Sequence, residues 1–389
     1  MTKKWSSRLT FFAFVVLMVG LGSNDSLRGI FSTIFQEHFS LTTTQLGLIV
    51  TASYIGNLVF LLVGGNLSTR FSKKRVLQVL ILIWMAALAL FAFTSNYTVL
   101  LIGMALALGS STLLNTTMNL ITPLLFATAP GFFVNFLFFT QEIGTSGSQY
   151  ILGSHADGFS FWQHTNLVLL ILGAVAFVLL LFCNVPEEAA DPADTPAQKG
   201  GYDWRIIVPY VLVFGFYFIA EHGVMNWMVA YGVDGLGLPQ ASAAKYLSVF
   251  FGGMMIGRLC LSPLVDKLGA LKSLAAFGGV SCVLYLTGSL GGAVTMPVWA
   301  ISGLSFSILY PTLVMSIRLY FPAQQVSGAA GTILSIASLA DILFNVGFGK
   351  LVDMTGYAVS IRVLPLSALA FFIVFMLFTK FCKPTQKLK

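Results

Sequence analysis

Twelve long apolar stretches constrain this chain more than any other feature of its sequence. A helix that crosses a bilayer needs about 20 mainly apolar residues, because lipid offers the backbone no hydrogen-bonding partner. Only 9% of the residues are charged, against roughly 25% in a soluble domain. The sequence therefore predicts an all-α membrane protein with twelve transmembrane helices. We place these near 9–36, 45–68, 75–95, 97–125, 131–153, 165–184, 205–231, 242–263, 271–290, 293–319, 328–350 and 358–382.

One polar connector divides the chain into two parts. Residues 185–203 are rich in proline, alanine and acidic side chains, and they interrupt the succession of apolar stretches. The connector is predicted to be a cytoplasmic linker. It separates an N-terminal half, residues 1–184, from a C-terminal half, residues 204–389, with six predicted helices in each.

The two halves contain similar segments at nearly the same separation. The matching segments are GNLSTRFSKKR (65–75) with SPLVDKLGALK (262–272), and GSHADG (153–158) with GKLVD (349–353). When the two halves are aligned with this separation, Asp25 of the first helix corresponds to Glu221 of the seventh. These correspondences predict two pseudo-symmetric six-helix bundles, a design in which a central site forms between the repeats.

The distribution of lysine and arginine predicts the orientation. An even number of helices puts both termini on one side, and that side carries all but four of the 21 basic residues. The exceptions are Arg28, Lys245, Lys350 and Arg362. Because basic residues accumulate on the cytoplasmic side, both termini are predicted to be cytoplasmic in a multi-pass protein of the plasma membrane (the inner membrane of a bacterial cell). The net charge of +7 is thus explained by topology, and no nucleic-acid partner is predicted.

Four acidic residues fall inside predicted spans: Asp25, Glu142, Glu221 and Asp341. A charge at the centre of a membrane helix costs about 2.5–3.5 kcal/mol on insertion scales. One such acid could merely bind a neighbouring helix or stay protonated. Four acids, on the corresponding first, fifth, seventh and eleventh helices, instead predict proton coupling in a polar cavity, since desolvation lets a carboxyl group exchange protons near neutral pH.

Amide and aromatic side chains at membrane depth predict the substrate. Amides offer paired hydrogen bonds and an indole such as Trp227 offers an apolar platform, a combination that suits a polyhydroxylated ring. Polar stripes can also serve plain helix packing, and Arg28 could equally be a local ion-pair partner of Asp25, a gate charge or a substrate anchor. The predicted substrate-binding residues are Asn24, Arg28, Tyr54, Asn57, Asn115, Asn119, Gln141, Asn226, Trp227, Tyr310 and Asn345.

Other features of the spans are predicted to be supporting or passive. The third, sixth, ninth and twelfth helices carry few polar groups and are expected to face lipid. The seventh helix is expected to be interrupted at Gly223, and His222 stands alone in its span. No cluster of histidines or cysteines has metal-binding spacing, so no metal and no cofactor is predicted.

The loop after the second helix resembles a signature of the major facilitator superfamily, Gly-x-Leu-x-Asp-Arg-x-Gly-Arg-Arg/Lys. The matching positions are Gly65, Leu67, Arg70, Lys73 and Lys74. Thr69 stands in place of the acid, whereas the second copy keeps it as Asp266. In that family the acid pairs with a helix-end arginine when the inward side is closed. The resemblance thus implies gating roles for Arg70, Arg258 and Asp266, with the latch incomplete in the first half.

Within that superfamily, the chain resembles the fucose permease-like proton symporters for fucose, glucose and galactose. The similar positions are Asn24, Asp25, Glu221, Trp227, Tyr231 and the segment YLSVFFGGMMIGR, residues 246–258. The family carries an acid in its fourth helix where this chain has Asn115, whereas Asn119 matches. Glu142 is the candidate replacement in the proton relay. The resemblance implies proton-coupled uptake of a monosaccharide by alternating access.

Two other transport functions compete with this interpretation. A carrier of an organic or sugar acid would use Arg28 as its anchor. A proton-coupled drug exporter would carry a Gly-Pro-rich fifth helix, whereas EIGTSGSQYILG, residues 142–153, has no proline. The sequence has no HExxH, GxSxG or Walker motif, so no enzyme is predicted. The predicted partners are a small solute, protons and the lipid bilayer, and analogy with the superfamily predicts a monomer.

Overall fold

The computed structural model describes residues 3–126, 130–183, 185–186 and 202–384. Long helices account for most of these residues, and no β-strand occurs among them. Six helices form the first half: α1 (Lys3–Ile30), α2 (Thr43–Arg70), α3 (Lys73–Phe93), α4 (Tyr97–Leu125), α5 (Pro130–Ile151) and α6 (Phe159–Leu181). A short helix, Ser32–Phe39, follows α1.

Six further helices form the second half. They are α7 (Trp204–Ala230), α8 (Gln240–Leu268), α9 (Ala270–Leu290), α10 (in three segments, Met296–Ile301, Gly303–Phe306 and Leu309–Ser316), α11 (Ala323–Thr355) and α12 (Val363–Phe381). A π-helical turn, Tyr231–Gly235, extends α7, and a short helix, Tyr357–Ser360, precedes α12. The prediction of twelve helices is confirmed. In the described chain, eleven of them are long and apolar enough to cross a membrane, and α5, with its polar run, is the exception.

Side-chain caps fix several helix starts. The Asn96 side chain accepts hydrogen bonds from the backbone N–H groups of Thr98 (2.9 Å) and Val99 (3.2 Å) at the start of α4. The Asp203 carboxylate accepts one from the N–H of Arg205 (2.9 Å) at the start of α7. Such caps satisfy N–H groups that have no partner inside the helix. They explain why α4 and α7 begin where the sequence turns from polar to apolar.

The chain divides into two compact units, Met1–Asp191 and Pro192–Lys389. In the first unit, α1 packs on α5, α2 on α4, and α3 on α6. In the second unit, α7 packs on α11, α8 on α10, and α9 on α12. Each unit therefore uses the same helix pairs in the same order, as a duplicated chain would. The predicted linker, 185–203, lies almost wholly outside the described residues.

Backbone contact between α1 and α5 organises the first unit. A Cβ atom at Gly22 would overlap the carbonyl group of Gln141, and one at Gly144 would lie 3.0 Å from the backbone nitrogen of Ser23. Hydroxyl groups bridge the same crossing, because Ser23 Oγ donates to the Gly144 carbonyl oxygen (3.2 Å) and Thr145 Oγ1 to that of Gly22 (3.2 Å). Small residues permit this close approach of two membrane helices.

Three details differ from the sequence-based expectations. The first span does not continue to residue 36, because α1 ends at Ile30 and a separate helix follows. The seventh span is not interrupted at Gly223, where α7 is continuous and a Cβ would instead meet the side chain of Leu364 on α12. The tenth span is broken into segments, because the hydroxyls of Ser302, Ser305 and other serines bond to backbone carbonyls three residues earlier and compete with regular helix.

Candidate functional site

In the first half, Asp25 lies in a polar cluster built from three helices. The hydroxyl of Ser111 on α4 donates to Asp25 Oδ2 (3.0 Å). The charge of Arg28, one turn further along α1, acts on the same carboxyl group, and the Arg28 guanidinium lies 5.6 Å from the ring centroid of Tyr54 on α2. The structure thus brings three predicted site residues together: Asp25, Arg28 and Tyr54. We call these three and Ser111 the Asp25 cluster.

A chain of amides connects α4 to α5. Asn119 Nδ2 donates to Asn115 Oδ1 (2.6 Å), and Asn115 Nδ2 donates to Gln141 Oε1 (2.7 Å). Within the described residues, Asn119 Oδ1 is buried without a hydrogen-bond partner. The three residues predicted as substrate ligands on these helices therefore form one hydrogen-bonded row, with an acceptor left at its end.

The remaining predicted residues of the first half have separate surroundings. Asn24 is buried and accepts a hydrogen bond from the indole of Trp84 on α3 (3.2 Å). Asn57, on α2, is partly buried, and its Oδ1 has no hydrogen-bond partner among the described residues. Glu142 is partly buried on α5, next to Gln141. The side chain of Arg70, a predicted gating residue, is outside the described set.

In the second half, a hydrogen-bonded chain links α7 to α11. His222 Nδ1 lies 2.6 Å from Asp341 Oδ2. Asn345 Nδ2 donates to the Asp341 backbone carbonyl (2.9 Å) and to Asp341 Oδ1 (3.3 Å), and Trp227 Nε1 donates to Asn345 Oδ1 (3.0 Å). Asp341, Asn345 and Trp227 are buried. We call these four residues the His222–Asp341 chain.

Glu221 lies in a different environment, among tyrosines and a basic residue. Its charge acts on the hydroxyls of Tyr217, Tyr285 and Tyr310, and the charge of Arg258 on α8 acts on those of Tyr217 and Tyr310. The rings of Tyr217 and Tyr310 stack with centroids 6.1 Å apart. Opposite charges from α7 and α8 therefore share one aromatic pocket, which we call the Glu221 cluster.

The other predicted residues of the second half are Asn226, Tyr310, Arg258 and Asp266. Asn226 is buried on α7, and Tyr310 belongs to the Glu221 cluster. The side chain of Asp266 is outside the described set, so its predicted gating role stays a prediction. Arg258, the other predicted gating residue of this half, shares two tyrosines with Glu221. The indole of Trp227 is completely buried, and it packs on Phe348 with ring centroids 4.9 Å apart.

Sequence reasoning missed several participants. His222 does not stand alone, because its partner Asp341 lies on the helix that packs against α7. The expected lipid-facing helices also contribute: α3 provides Trp84, and α9 provides Tyr285, whose hydroxyl donates to the Ala220 carbonyl. The internal repeat could have suggested the α7–α11 pairing. Nothing in the sequence distinguishes Trp84 and Tyr285 from aromatic residues that serve only to pack helices together. The described residues contain no group of three or more His, Cys, Asp or Glu that could hold a metal ion.

Comparisons with known proteins agree with this architecture. The sequence profile described as Major Facilitator Superfamily matches residues 10–344. The L-fucose-proton symporter of Escherichia coli is 24% identical over 333 residues, which are 74% of this chain and 75% of that protein. The glucose/galactose transporter of Brucella abortus is 26% identical over 342 residues, 82% of this chain and 81% of that protein. A crystal structure of a D-xylose-proton symporter has a TM-score of 0.77 at 15% identity, covering 99% of both chains, a likeness of fold.

Proposed function

Because this chain belongs to the Major Facilitator Superfamily, we propose that it takes up a monosaccharide together with protons by alternating access. The observation that carries the proposal is similarity over about three quarters of the chain to an L-fucose-proton symporter and, over more, to a glucose/galactose transporter. Carboxyl groups within the helices of each half, with amide side chains on the same helices, are consistent with it, since ionisable groups at membrane depth accompany proton and substrate pathways.

The amide row of the first half is suited to hold sugar hydroxyls. An amide presents a donor and an acceptor side by side, and the row ends in a buried acceptor on Asn119. A hydroxyl group placed there would satisfy that oxygen. Because a buried polar atom costs roughly 1–3 kcal/mol when it is unpaired, a sugar that pairs it gains binding energy that an apolar drug would not.

Proton coupling would use Asp25, Glu142, Glu221 and Asp341, the four acids inside the predicted spans. A membrane potential of 100 mV is worth about 2.3 kcal/mol per charge, which corresponds to roughly fifty-fold accumulation of a neutral solute that enters with one proton.

We further propose that both termini are cytoplasmic, on the distribution of basic residues. Arg70, Arg258 and Asp266 are the proposed gating residues, and the protein is proposed to act as a monomer.

The anionic-solute alternative depends on a positive charge that is open to the substrate. Arg28 is the candidate, but its charge acts on Asp25 and it lies over the ring of Tyr54. A carboxylate substrate would therefore compete with Asp25 for the guanidinium. A neutral sugar requires no such exchange of partners, and this favours the monosaccharide.

A thermal-shift screen of the purified protein tests the proposed function. Hexoses and deoxyhexoses should raise the unfolding temperature, whereas sugar acids, nucleosides and cationic drugs should not. A ligand at about a hundred times its Kd adds roughly 2.7 kcal/mol to the free energy of unfolding. Selective stabilisation by an acid or a drug, with none by any neutral sugar, would contradict the proposal.

Trp227 should matter for sugar binding through Asn345. We expect Trp227→Phe to weaken sugar affinity roughly tenfold, because loss of the indole N–H frees a buried oxygen of Asn345, at a cost of about 1–3 kcal/mol. Equilibrium binding of labelled sugar measures the effect. Trp204→Phe, at the exposed start of the same helix, is the matched control and should bind normally. Equal affinities for both variants would place Trp227 outside the binding site.

A further inference from the structure

An imidazole and a buried carboxyl group form a pair that joins α7 to α11. We propose that His222 and Asp341 together bind the proton that is transported with the substrate. The inference rests on the proposed function and narrows the four proposed acids to one proton-binding pair in the second half. It also assigns a role to a histidine that the sequence analysis left without one.

The geometry of the pair defines how it binds a proton. His222 Nδ1 and Asp341 Oδ2 are 2.6 Å apart, and the side chains are 25% and 2% exposed. With the carboxylate accepting from Nδ1–H, the next proton adds at Nε2, since the bond at one ring nitrogen fixes the role of the other. Before that step the pair carries one negative charge at membrane depth, and afterwards it is neutral overall. Release is the reverse step, and no other bond forms or breaks.

Aromatic packing favours the protonated imidazole. The rings of His222 and Phe218 stack with centroids 5.3 Å apart and planes at 6°. A cation over an aromatic face is attracted by the negative charge of the ring face. The protonated state is thus stabilised from two sides, by the carboxylate of Asp341 and by the ring of Phe218.

The Glu221 cluster differs in its charge balance. Glu221 shares Tyr217 and Tyr310 with Arg258, so a negative and a positive charge already act on the same pocket. In the His222–Asp341 pair, the carboxylate of Asp341 supplies the negative charge. The other member is a histidine, the residue type whose unperturbed pKa lies near physiological pH. Proton binding therefore cancels the charge of the His222–Asp341 pair.

The titratable groups around this pair come from α7 and from the elements that pack on it. Asp341 contacts His222 directly, and Tyr310 lies beyond Phe218, whose ring centroid is 6.1 Å from that of Tyr310. The described charged or titratable side chains on α11, α12 and α8, which pack against α7, are Asp341, Lys350 and Asp353, then Lys380, then Lys245, Tyr246, Arg258, Cys260 and Lys267. Tyr285 of α9 and Tyr310 of α10 also contact α7, and the π-helical turn that extends α7 carries Tyr231 and Asp234. On α7 itself they are Arg205, Tyr210, Tyr217 and Glu221.

A shared carboxylate connects the pair to the predicted substrate ligands. Asp341 Oδ2 contacts His222, and Asp341 Oδ1 accepts from Asn345, which in turn accepts from Trp227. Protonation of His222 draws on the same carboxylate that orients the Asn345 amide. The proton and the sugar are therefore coupled through two oxygens of one side chain.

The test uses the full chain in proteoliposomes, with radiolabelled L-fucose and D-galactose as probes and an internal pH-sensitive dye. His222→Gln can still donate a hydrogen bond to Asp341, but it cannot titrate. We expect accumulation driven by a membrane potential of 100 mV to fall from roughly fifty-fold to about onefold, and proton entry with sugar to stop. Sugar counterflow, which needs no net proton movement, should stay within about threefold of wild type and lose its dependence on pH.

The control is His155→Gln, which replaces an exposed histidine that is not part of the His222–Asp341 chain. This variant should behave as wild type. A direct measurement accompanies transport: NMR of isotope-labelled histidines should show one imidazole, absent in His222→Gln, that titrates between about pH 5 and 8. Wild-type proton entry in His222→Gln, or an imidazole of His222 that never titrates in the wild-type protein, would overturn the inference. If wild type moves neither sugar, the proposed substrate class fails, and the NMR titration still decides the proton site.

Discussion

Asp25→Asn should reduce every mode of sugar transport, uphill accumulation and counterflow alike, by roughly a hundredfold. The amide keeps the shape of the side chain but removes the negative charge that acts on Arg28. Arg28 is buried, so its charge would lose the opposite charge that acts on it, and an uncompensated buried charge costs about 3–5 kcal/mol. Uptake of labelled sugar into proteoliposomes, normalised to folded protein, measures the effect. This outcome differs from that of His222→Gln, which should spare counterflow.

Two further variants separate charge from hydrogen bonding at Asp25. Ser111→Ala removes the hydroxyl that donates to Asp25 and should lower transport by no more than about tenfold, as expected for one hydrogen bond. Arg28→Gln in the Asp25→Asn background removes the remaining charge and should recover much of the lost stability, which a double-mutant cycle would quantify. Wild-type transport by Asp25→Asn would instead leave this carboxyl a passive partner of Arg28.

Gly144→Ala should destabilise the protein, whereas Gly147→Ala on the same helix should not. A Cβ at Gly144 would press on the backbone of α1, while nothing lies within 4 Å of a Cβ built at Gly147. Overpacking of a tight contact costs about 1–3 kcal/mol, whereas alanine in an open helical position is favoured over glycine by roughly 1 kcal/mol. The two substitutions should therefore shift the unfolding temperature in opposite directions.

The thermal unfolding of detergent-solubilised protein measures this difference. Both variants add a single methyl group, so helix propensity and hydrophobicity change equally. If both raise the unfolding temperature, α1 and α5 do not approach each other as closely as described. If both lower it, the effect belongs to α5 as a whole and not to its crossing with α1.

The helices could be predicted from sequence because lipid leaves the backbone few choices. Runs of about 20 apolar residues identify membrane helices, and the twelve predicted helices are present. The breaks within α10 were not predicted, because the hydroxyl–carbonyl bonds of Ser302 and Ser305 stabilise bends without changing the apolar character of the segment. The end of α1 at Ile30 likewise leaves no mark in composition.

The site was less predictable, because its contacts join residues far apart in the chain. His222 and Asp341 are 119 positions apart, and Asn24 and Trp84 are 60 positions apart. A polar side chain at membrane depth can be recognised from sequence, but its partner depends on which helices pack together and at what height. The repeat gives the helix pairs. It does not give the rotation of each helix, which decides that His222, and not Glu221, meets Asp341.

The crossing of α1 and α5 also bears on how this half can deform. Where two backbones touch through glycine, sliding by one residue would push a side chain into a carbonyl group. The crossing of α1 and α5 therefore resists sliding of one helix along the other. The segmented α10 is the opposite case, since each interruption is a place where torsion angles can change at low energetic cost. We therefore expect the backbone of α10, next to Tyr310 of the Glu221 cluster, to bend more readily than the crossing of α1 and α5.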